Sequence, residues 1–376
     1  MSRKLLPVSI TVALMGGTAI ADVPNVAVDI APIHSLVSRV MDGVGTPALI
    51  VAPGASPHEY NLRPSEAAAL QDADLVFWVG EDLTPWMESA IETLADSATV
   101  TSLLDADGTV LLEFRESAVF EAHDHGGEDE HDHDDEHIED DRHDHDDHEH
   151  GHDDHAKDDD HEHDHDDHAK DDDHEHDHDD HAKDDDHDHE EHADQDKHDE
   201  HHDHAHGAHD PHAWLSPANA ETWLNLIAAQ LSSADPDNAG AYFANAAAAR
   251  AEMAALSEQV AETLGPVRGG SFVVFHDAYQ YFEDAFDFPA AGAISIADAS
   301  DPSPARIAEI QTRIREEGIN CVLAEPQFNP GIVKTVLDGT EAKTGVIDPL
   351  GSDLEPGAGL YPQVILNMAK TLAECL

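Results

Sequence analysis

The chain has 376 residues and a formal net charge of −64, with 82 acidic side chains against 18 lysines and arginines. An acidic balance of this size repels nucleic acids and anionic lipids and attracts cations, so no nucleic-acid partner is expected. The length exceeds what a single hydrophobic core usually supports, and two lobes are therefore predicted.

The first 21 residues have the pattern of a secretory signal peptide. Positive charges at Arg3 and Lys4 precede an apolar run that ends near Met15, and Ala19-Ile20-Ala21 offers a cleavage site. The apolar run is too short to span a bilayer, and no cysteine near the cleavage site offers a lipid attachment point. We therefore expect the mature protein to begin near Asp22, without direct membrane insertion, in an exported compartment, most simply a bacterial periplasm.

Short apolar runs that alternate with helical patterns indicate the fold class. The runs are continuously hydrophobic, as in strands that are buried on both faces of a parallel sheet. A helix is predicted over residues 65–73, with Ser65 as its cap. This alternation predicts α/β lobes with mostly parallel sheets. The predicted strands are residues 26–30, 48–51, 75–79, 271–275, 321–324 and 345–347.

A tract rich in histidine and aspartate interrupts the N-terminal lobe at residues 122–210. It holds 28 of the 32 histidines of the chain, and the sequence His-Ala-Lys-Asp-Asp-Asp-His begins in it at His155, His168 and His181, a period of 13 residues. Hydrophobic residues are nearly absent, so the tract cannot form a core and is predicted to be a disordered loop. Imidazole and carboxylate groups bind divalent metals, so the tract indicates metal binding.

One long helix is predicted over residues 236–264, where apolar residues recur every three or four positions. Asp235 can cap it and Gly265-Pro266 ends it. The helix would extend about 43 Å at 1.5 Å per residue, longer than most helices within a lobe. We therefore predict a rigid rod between two lobes rather than an ordinary packing helix. The lobes are then residues 22–235 and residues 265–376.

The chain has two cysteines, Cys321 and Cys375, both in its C-terminal third. In an oxidising compartment an isolated pair predicts a disulfide rather than a metal site. Closing a loop of this length would stabilise the C-terminal lobe by on the order of 4 kcal/mol in the chain-entropy model. The alternative is a pair of free thiols, which a thiol titration of the non-reduced protein would detect.

Four histidines lie outside the tract, and three of them occupy positions typical of ligands. His58 follows the predicted strand 48–51 in a loop, and His276 directly follows another; ligands of open α/β sheets bind at the C-terminal ends of strands. His212 lies in the loop where the chain returns from the tract to the fold. Asp348 follows the last predicted strand and adds a carboxylate. His34 begins a helical stretch and has no comparable support.

Three imidazoles and one oxygen ligand make a tetrahedral set that suits zinc, whereas manganese prefers more carboxylates. Five segments carry or flank these residues: Pro53-Gly-Ala-Ser-Pro-His-Glu-Tyr-Asn-Leu-Arg-Pro-Ser65, His212-Ala-Trp-Leu-Ser-Pro217, Phe275-His-Asp-Ala-Tyr279, Ala324-Glu-Pro-Gln-Phe328 and Asp348-Pro-Leu-Gly351. These segments resemble motifs of the zinc-binding solute-binding proteins of bacterial ABC importers, the ZnuA type of the cluster A-I family. The resemblance spans nearly the whole mature chain apart from the tract.

The resemblance implies two α/β lobes joined by one rigid helix, with Zn²⁺ in the cleft between them. It implies ligands His58 and His212 from the N-terminal lobe and His276 from the C-terminal lobe. The cysteines fall where zinc-specific members carry a disulfide. Some members use a glutamate just before the first histidine as a ligand, where this chain has Pro57. Three candidates for the fourth ligand therefore stay open: Asp348, water and Glu59.

The function that the resemblance implies is periplasmic capture of Zn²⁺ and its delivery to an ABC permease, by a protein expected to be a monomer. Protons compete for imidazole, so zinc affinity should fall as pH drops through about 6.5. The single long helix predicts small lobe adjustments rather than a wide closure. For the tract, three roles are open: a zinc collector, a zinc sensor, or charge padding with incidental metal affinity.

Three other functions were weighed against zinc import. A periplasmic zinc buffer or chaperone would have the same site without a permease, and a manganese or iron carrier would have the same fold. A zinc hydrolase would also use three histidines and a water. The sequence has no H-E-x-x-H motif, and Asp277 and Glu325 are only loosely placed candidates for a catalytic base. The hydrolase is therefore the least favoured of the three.

Overall fold

The computed structural model describes residues 23–115, 209–295 and 302–376. The predicted signal peptide and nearly all of the predicted disordered loop lie outside these ranges and stay predictions. Within the described ranges, no helix combines the length and the apolar character that a membrane crossing requires.

The N-terminal lobe contains a four-stranded parallel sheet in the order β2-β1-β3-β4. The first and third strands are apolar and fully buried, as predicted for a sheet covered on both faces. The strand β4 was not predicted, because three of its four residues are polar and it lies at the sheet edge. The elements of this sheet are β1 (Val26–Val28), α1 (Ala31–Val40), β2 (Ala48–Leu49), α2 (Pro64–Gln71), β3 (Leu75–Trp78), α3 (Pro85–Leu94) and β4 (Thr99–Ser102).

The start of α2 differs from the prediction. Pro64 takes the first helical position, where its missing N–H has no helical partner to lose. The backbone N–H of Arg63 donates to Glu66 Oε2 at 2.7 Å, which closes the first turn. Ser65 therefore lies inside the helix, and the prediction that it caps the helix was wrong.

The C-terminal lobe repeats the architecture with a parallel sheet in the order β6-β5-β7-β8. A disulfide joins Cys321, the first residue of β7, to Cys375, the last residue of α9, which confirms the predicted pairing. The strand β6 was not predicted from the sequence. The elements are β5 (Phe272–His276), α6 (Gln280–Phe286), β6 (Gly292–Ser295), α7 (Pro304–Glu317), β7 (Cys321–Ala324), α8 (Pro330–Leu337), β8 (Lys343–Val346) and α9 (Leu360–Cys375).

The predicted connecting helix is present. After α4 (Pro217–Ala234), a 3-10 turn at Pro236–Asn238 leads into α5 (Ala239–Leu264). The buried carboxylate of Asp235 accepts hydrogen bonds from Asn238 Nδ2 at 2.7 Å and from the Tyr242 hydroxyl at 2.9 Å. These bonds fix the direction in which the helix leaves the N-terminal lobe.

The helix α5 also packs along both lobes. It contacts α1 and α4 on the N-terminal side and α9 on the C-terminal side, and α9 contacts α1 directly. One continuous cluster of buried apolar side chains runs through these helices and the inner faces of both sheets. The Tyr361 hydroxyl in α9 donates to the carbonyl of Trp214 at 2.8 Å, which adds a polar link between the lobes. Because separating the lobes would expose this shared core to water, wide opening is energetically unfavourable.

Candidate metal centre

Three of the sequence-predicted site residues come together between the lobes. His58, His212 and His276 each offer one ring nitrogen, and these nitrogens all lie within 4.8 Å of one another. The ring centroids are separated by 5.3 to 6.4 Å. Nitrogens around a tetrahedral zinc ion lie about 3.3 Å apart, given Zn–N bonds of about 2.05 Å. Small inward shifts are therefore enough for this histidine cluster to share one ion.

His58 is held by the loop between β2 and α2. The Trp86 indole N–H donates to the carbonyl of Pro57 at 2.7 Å, and the backbone N–H of His58 donates to Ser56 Oγ at 3.3 Å. His58 is half-buried, whereas the other two histidines of the cluster are buried. The loop thus contributes the most accessible of the three imidazoles.

Asp210 orients His212. Its Oδ1 accepts hydrogen bonds from His212 Nδ1 at 2.7 Å and from the His212 backbone N–H at 2.9 Å, with both side chains 2% exposed. A neutral ring that donates from Nδ1 presents Nε2 to a metal, and a carboxylate partner raises the basicity of that nitrogen. By composition Asp210 belongs to the tract. It lies instead in the folded lobe, because its backbone N–H donates to the carbonyl of Leu112 and His209 forms an antiparallel bridge with Glu113.

Glu325 plays the same part for His276. Its Oε1 lies 2.6 Å from His276 Nδ1, and both groups are buried. Glu325 directly follows β7, so neighbouring strands of one sheet supply the histidine and its carboxylate partner. The ring of Phe328 lies edge-on against His276 with centroids 5.1 Å apart, which restricts the ring further. From the sequence, Glu325 was predicted only as a loosely placed candidate for a catalytic base.

The two carboxylates predicted as candidate fourth ligands are not part of the histidine cluster. The Asp348 carboxylate accepts hydrogen bonds from the backbone N–H groups of Leu350 at 3.0 Å, Gly351 at 3.0 Å and Ser352 at 2.6 Å. It therefore stabilises the turn after β8, where Gly351 has a φ of 73°. Glu59 has an exposed side chain and also lies outside the cluster.

His34, which the sequence left unassigned, is a core residue of α1. It is buried, and its Nε2 lies 3.1 Å from the carbonyl oxygen of Pro47. Burial lowers the pKa of His34, while the hydrogen bond to Pro47 acts in the opposite direction. This histidine is therefore neutral at pH 7. Its hydrogen bond to Pro47 links α1 to the segment before β2.

Burial shifts the pKa values of two titratable groups next to the histidine cluster. Burial raises the pKa of the Asp277 carboxyl to about 7, against the opposing influence of the Arg115 guanidinium. Burial also raises the pKa of the Tyr279 hydroxyl well above its ordinary value, and the negative charges of Glu325 and Asp348 act in the same direction. The hydroxyl of Tyr279 is thus neutral beside the oriented His276.

The three imidazole rings border a cavity of about 20 Å³, which Trp214, Phe328 and Leu350 also line. A space of this size holds about one water-sized species. It suits a single ion and is too small for an organic solute of several atoms. The indole N–H of Trp214 donates to the carbonyl of Pro349 at 3.0 Å, so the two lobes meet directly at the cavity wall.

Two parallel α/β lobes joined by one long helix are the architecture of a class of solute-binding proteins. The crystal structure of ZnuA shares it with a TM-score of 0.62 at 18% identity, over 94% of this chain and 99% of that chain. The solute-binding protein FpvC from Pseudomonas aeruginosa in complex with Mn²⁺ has a TM-score of 0.62 at 17% identity, over 94% and 97%. At these identities the likeness defines the fold alone.

Sequence comparison identifies the family within this class. The family model described as zinc-uptake complex component A, periplasmic, matches residues 26–375. The high-affinity zinc uptake system protein ZnuA of Brucella abortus is 43% identical over 361 residues, covering 96% of this chain and 94% of that protein. The corresponding protein of Paracoccus denitrificans is 43% identical over 375 residues, covering 98% of each. The chain belongs to the ZnuA family.

Proposed function

We propose that this protein captures Zn²⁺ in the cleft between its lobes and delivers it to an ABC permease for import. The observation that carries the proposal is the convergence of three imidazole nitrogens, within 4.8 Å of one another, on a cavity of ionic size. Family membership supports a periplasmic location. The predicted signal peptide, residues 1–21, would direct export to that compartment.

The donor set favours zinc over harder cations. Three neutral imidazoles suit a borderline ion, whereas manganese and magnesium prefer carboxylate and carbonyl oxygens. The carboxylates of Asp210 and Glu325 bind the far nitrogens of their histidines and so act on the metal through the rings. With Asp348 engaged in its own turn, we propose a water molecule as the fourth ligand. Competition among Zn²⁺, Mn²⁺ and Fe²⁺ for the purified protein would reveal a manganese or iron carrier.

Release of the ion would require the permease to separate the ligands. His212 belongs to the N-terminal lobe and His276 to the C-terminal lobe. A small relative shift of the lobes therefore moves these two proposed ligands apart. The shared core limits the shift to a small one, which is sufficient because imidazole binds zinc only near 2.0 to 2.1 Å. The lobes thus need not open widely.

The cleft assignment is tested by His58→Ala, His212→Ala and His276→Ala in the full chain, with His155→Ala in the tract as the matched control. Zinc affinity is measured against a tight chelator, so that only the tightest site competes. Each cleft variant should bind at least about 100-fold more weakly, more than is typical for loss of an outer partner. The control should match the wild type. Undiminished tight binding in the cleft variants would refute the assignment.

Growth of a deletion strain under zinc starvation distinguishes zinc import from zinc buffering. A strain that lacks the protein should fail only under zinc starvation, and wild-type protein should restore growth where His212→Ala does not. Normal growth of the deletion strain in starved medium would favour a buffer or chaperone. Turnover of ester or peptide substrates by the zinc-loaded protein would instead favour a hydrolase.

The tract, residues 122–210 as predicted, is proposed as a secondary zinc collector or sensor. A deletion should keep His209 and Asp210, because these residues join the folded lobe and Asp210 orients His212. Calorimetry of a chain lacking residues 122–208 would show fewer weak zinc equivalents and an unchanged tight site. If the tract is a collector, its deletion should slow zinc uptake when zinc is scarce. If the tract is a sensor, its deletion should raise zinc uptake when zinc is abundant. If stoichiometry and uptake are both unchanged, the tract is charge padding.

A further inference from the structure

An arginine from the N-terminal lobe reaches across the lobe boundary behind the histidine cluster. Arg115 Nη1 lies 3.1 Å from Asp277 Oδ1, and Arg115 Nη2 lies 2.8 Å from Glu283 Oε2. The arginine side chain is 18% exposed, and the carboxylates are 3% and 5% exposed. Ion pairs this shielded from solvent are coupled more strongly than surface pairs.

Both carboxylates belong to the segment that begins with a cluster histidine. Asp277 directly follows His276, and Glu283 lies in α6. Glu283 is fixed within its own lobe, because its Oε2 also accepts a hydrogen bond from the backbone N–H of Ala290 at 3.1 Å. The guanidinium therefore contacts a rigid part of the C-terminal lobe rather than a free side chain.

A second bond joins the same segment to the N-terminal lobe. The Tyr281 hydroxyl donates to the carbonyl of Asp210 at 2.9 Å and accepts from the backbone N–H of Leu112 at 3.0 Å. Residues 112–115 and 209–210, which we call the neck, thus contact α6 at two points. Because Asp210 also orients His212, the neck contacts His212 directly and contacts the segment that follows His276 through Asp277 and α6.

We propose that Arg115 is a positioning residue for zinc binding, which keeps the His276 and His212 side chains, from opposite lobes, close enough to share one ion. The inference rests on the proposed zinc-binding function of the cleft. Arg115 does not belong to the cluster and acts through Asp277 and Glu283. Without the guanidinium, the buried Asp277 and Glu283 lose the cation that they share, and the segment that starts at His276 loses its ionic contact with the other lobe.

The test uses Arg115→Gln in the full chain, with Arg39→Gln as the matched control. Arg39 makes a comparable two-contact pair with Glu252, at 2.6 and 3.2 Å, in a region away from the cleft. The double variant Arg115→Gln with Glu283→Gln removes both partners of one ion pair, so Glu283 is not left as a buried charge without its cation. If the single variant does not fold, the double variant decides the outcome. Zinc affinity is measured by chelator competition, and the visible spectrum of the Co²⁺-loaded protein reports the ligand geometry.

Both Arg115 variants should bind zinc about tenfold more weakly, the range typical for loss of an outer partner, and should show an altered Co²⁺ spectrum. The Arg39→Gln control should match the wild type in both readouts, and Arg115→Lys, which keeps the charge, should lose less affinity than Arg115→Gln. Wild-type affinity and spectrum in folded Arg115→Gln or in the double variant would overturn the proposal. Absence of tight zinc binding in the wild type would instead refute the proposed function itself.

Discussion

Replacing Asp210 by asparagine should weaken zinc binding without removing any ligand. Asp210 Oδ1 accepts both the Nδ1–H and the backbone N–H of His212, and an amide oxygen can keep the same two bonds. The variant therefore preserves the geometry and removes the charge. A hydrogen bond to a charged group contributes about 1.5–3 kcal/mol and a neutral one about 0.5–1.5 kcal/mol, so the imidazole–zinc unit loses about 1–1.5 kcal/mol.

That difference corresponds to a roughly tenfold increase in the Kd for zinc. The assay is competition with a tight chelator in the full chain, and Asp82→Asn serves as the control for an equal change of charge on the same lobe. Asp210→Ala, which also removes the acceptor, should weaken binding further. If Asp210→Asn binds zinc as tightly as the wild type, the carboxylate does not act on the metal through the ring, and the reasoning is refuted.

Three further predictions concern stability. Asp348→Asn should lower the free energy of unfolding by about 1–3 kcal/mol, since three backbone N–H groups lose a charged acceptor, with zinc affinity unchanged; a large affinity loss would make Asp348 a ligand. Paired serine substitutions at Cys321 and Cys375 should cost about 4 kcal/mol in urea denaturation for a sequence separation of 54 residues, and an unchanged midpoint would contradict this. Burial raises the pKa of Asp29 to about 7 from 3.8, so its ionisation destabilises the fold increasingly as pH rises from about 4 to 7. Relative to the wild type, Asp29→Asn should therefore gain stability between pH 5 and pH 8, and a constant difference would refute the burial argument.

The fold could be predicted from the sequence largely because its strands are apolar and its long helix has a clear period. The two missed strands, β4 and β6, lie at sheet edges. Edge strands need fewer apolar residues, and Thr99–Ser102 has the sequence Thr-Val-Thr-Ser with a single exposed valine, so no hydrophobic run marks it. His58 and His276 could also be predicted, because a position just after a strand can be recognised from the neighbouring residues in the sequence.

The supports of the histidines could not be predicted in the same way, because they depend on tertiary contacts. Glu325 meets His276 across a separation of 49 residues, and Arg115 meets Asp277 across 162. Asp210 stands only two residues from His212, but its surroundings in the sequence are so rich in aspartate that composition concealed it. For Asp348, a position after a strand suits a ligand and a turn cap equally, and only the backbone geometry distinguishes the two.

The bridge between Glu113 and His209 brings the two ends of the histidine-rich insertion side by side. The number of residues between such ends has little thermodynamic consequence, since each doubling of a flexible loop costs only about 0.6 kcal/mol in closure entropy. The 13-residue unit that begins at His155, His168 and His181 can therefore be added or removed while the lobes keep their stability. The number of imidazole and carboxylate groups in the proposed zinc collector can thus change in whole repeat units without a matching change in the folded lobes.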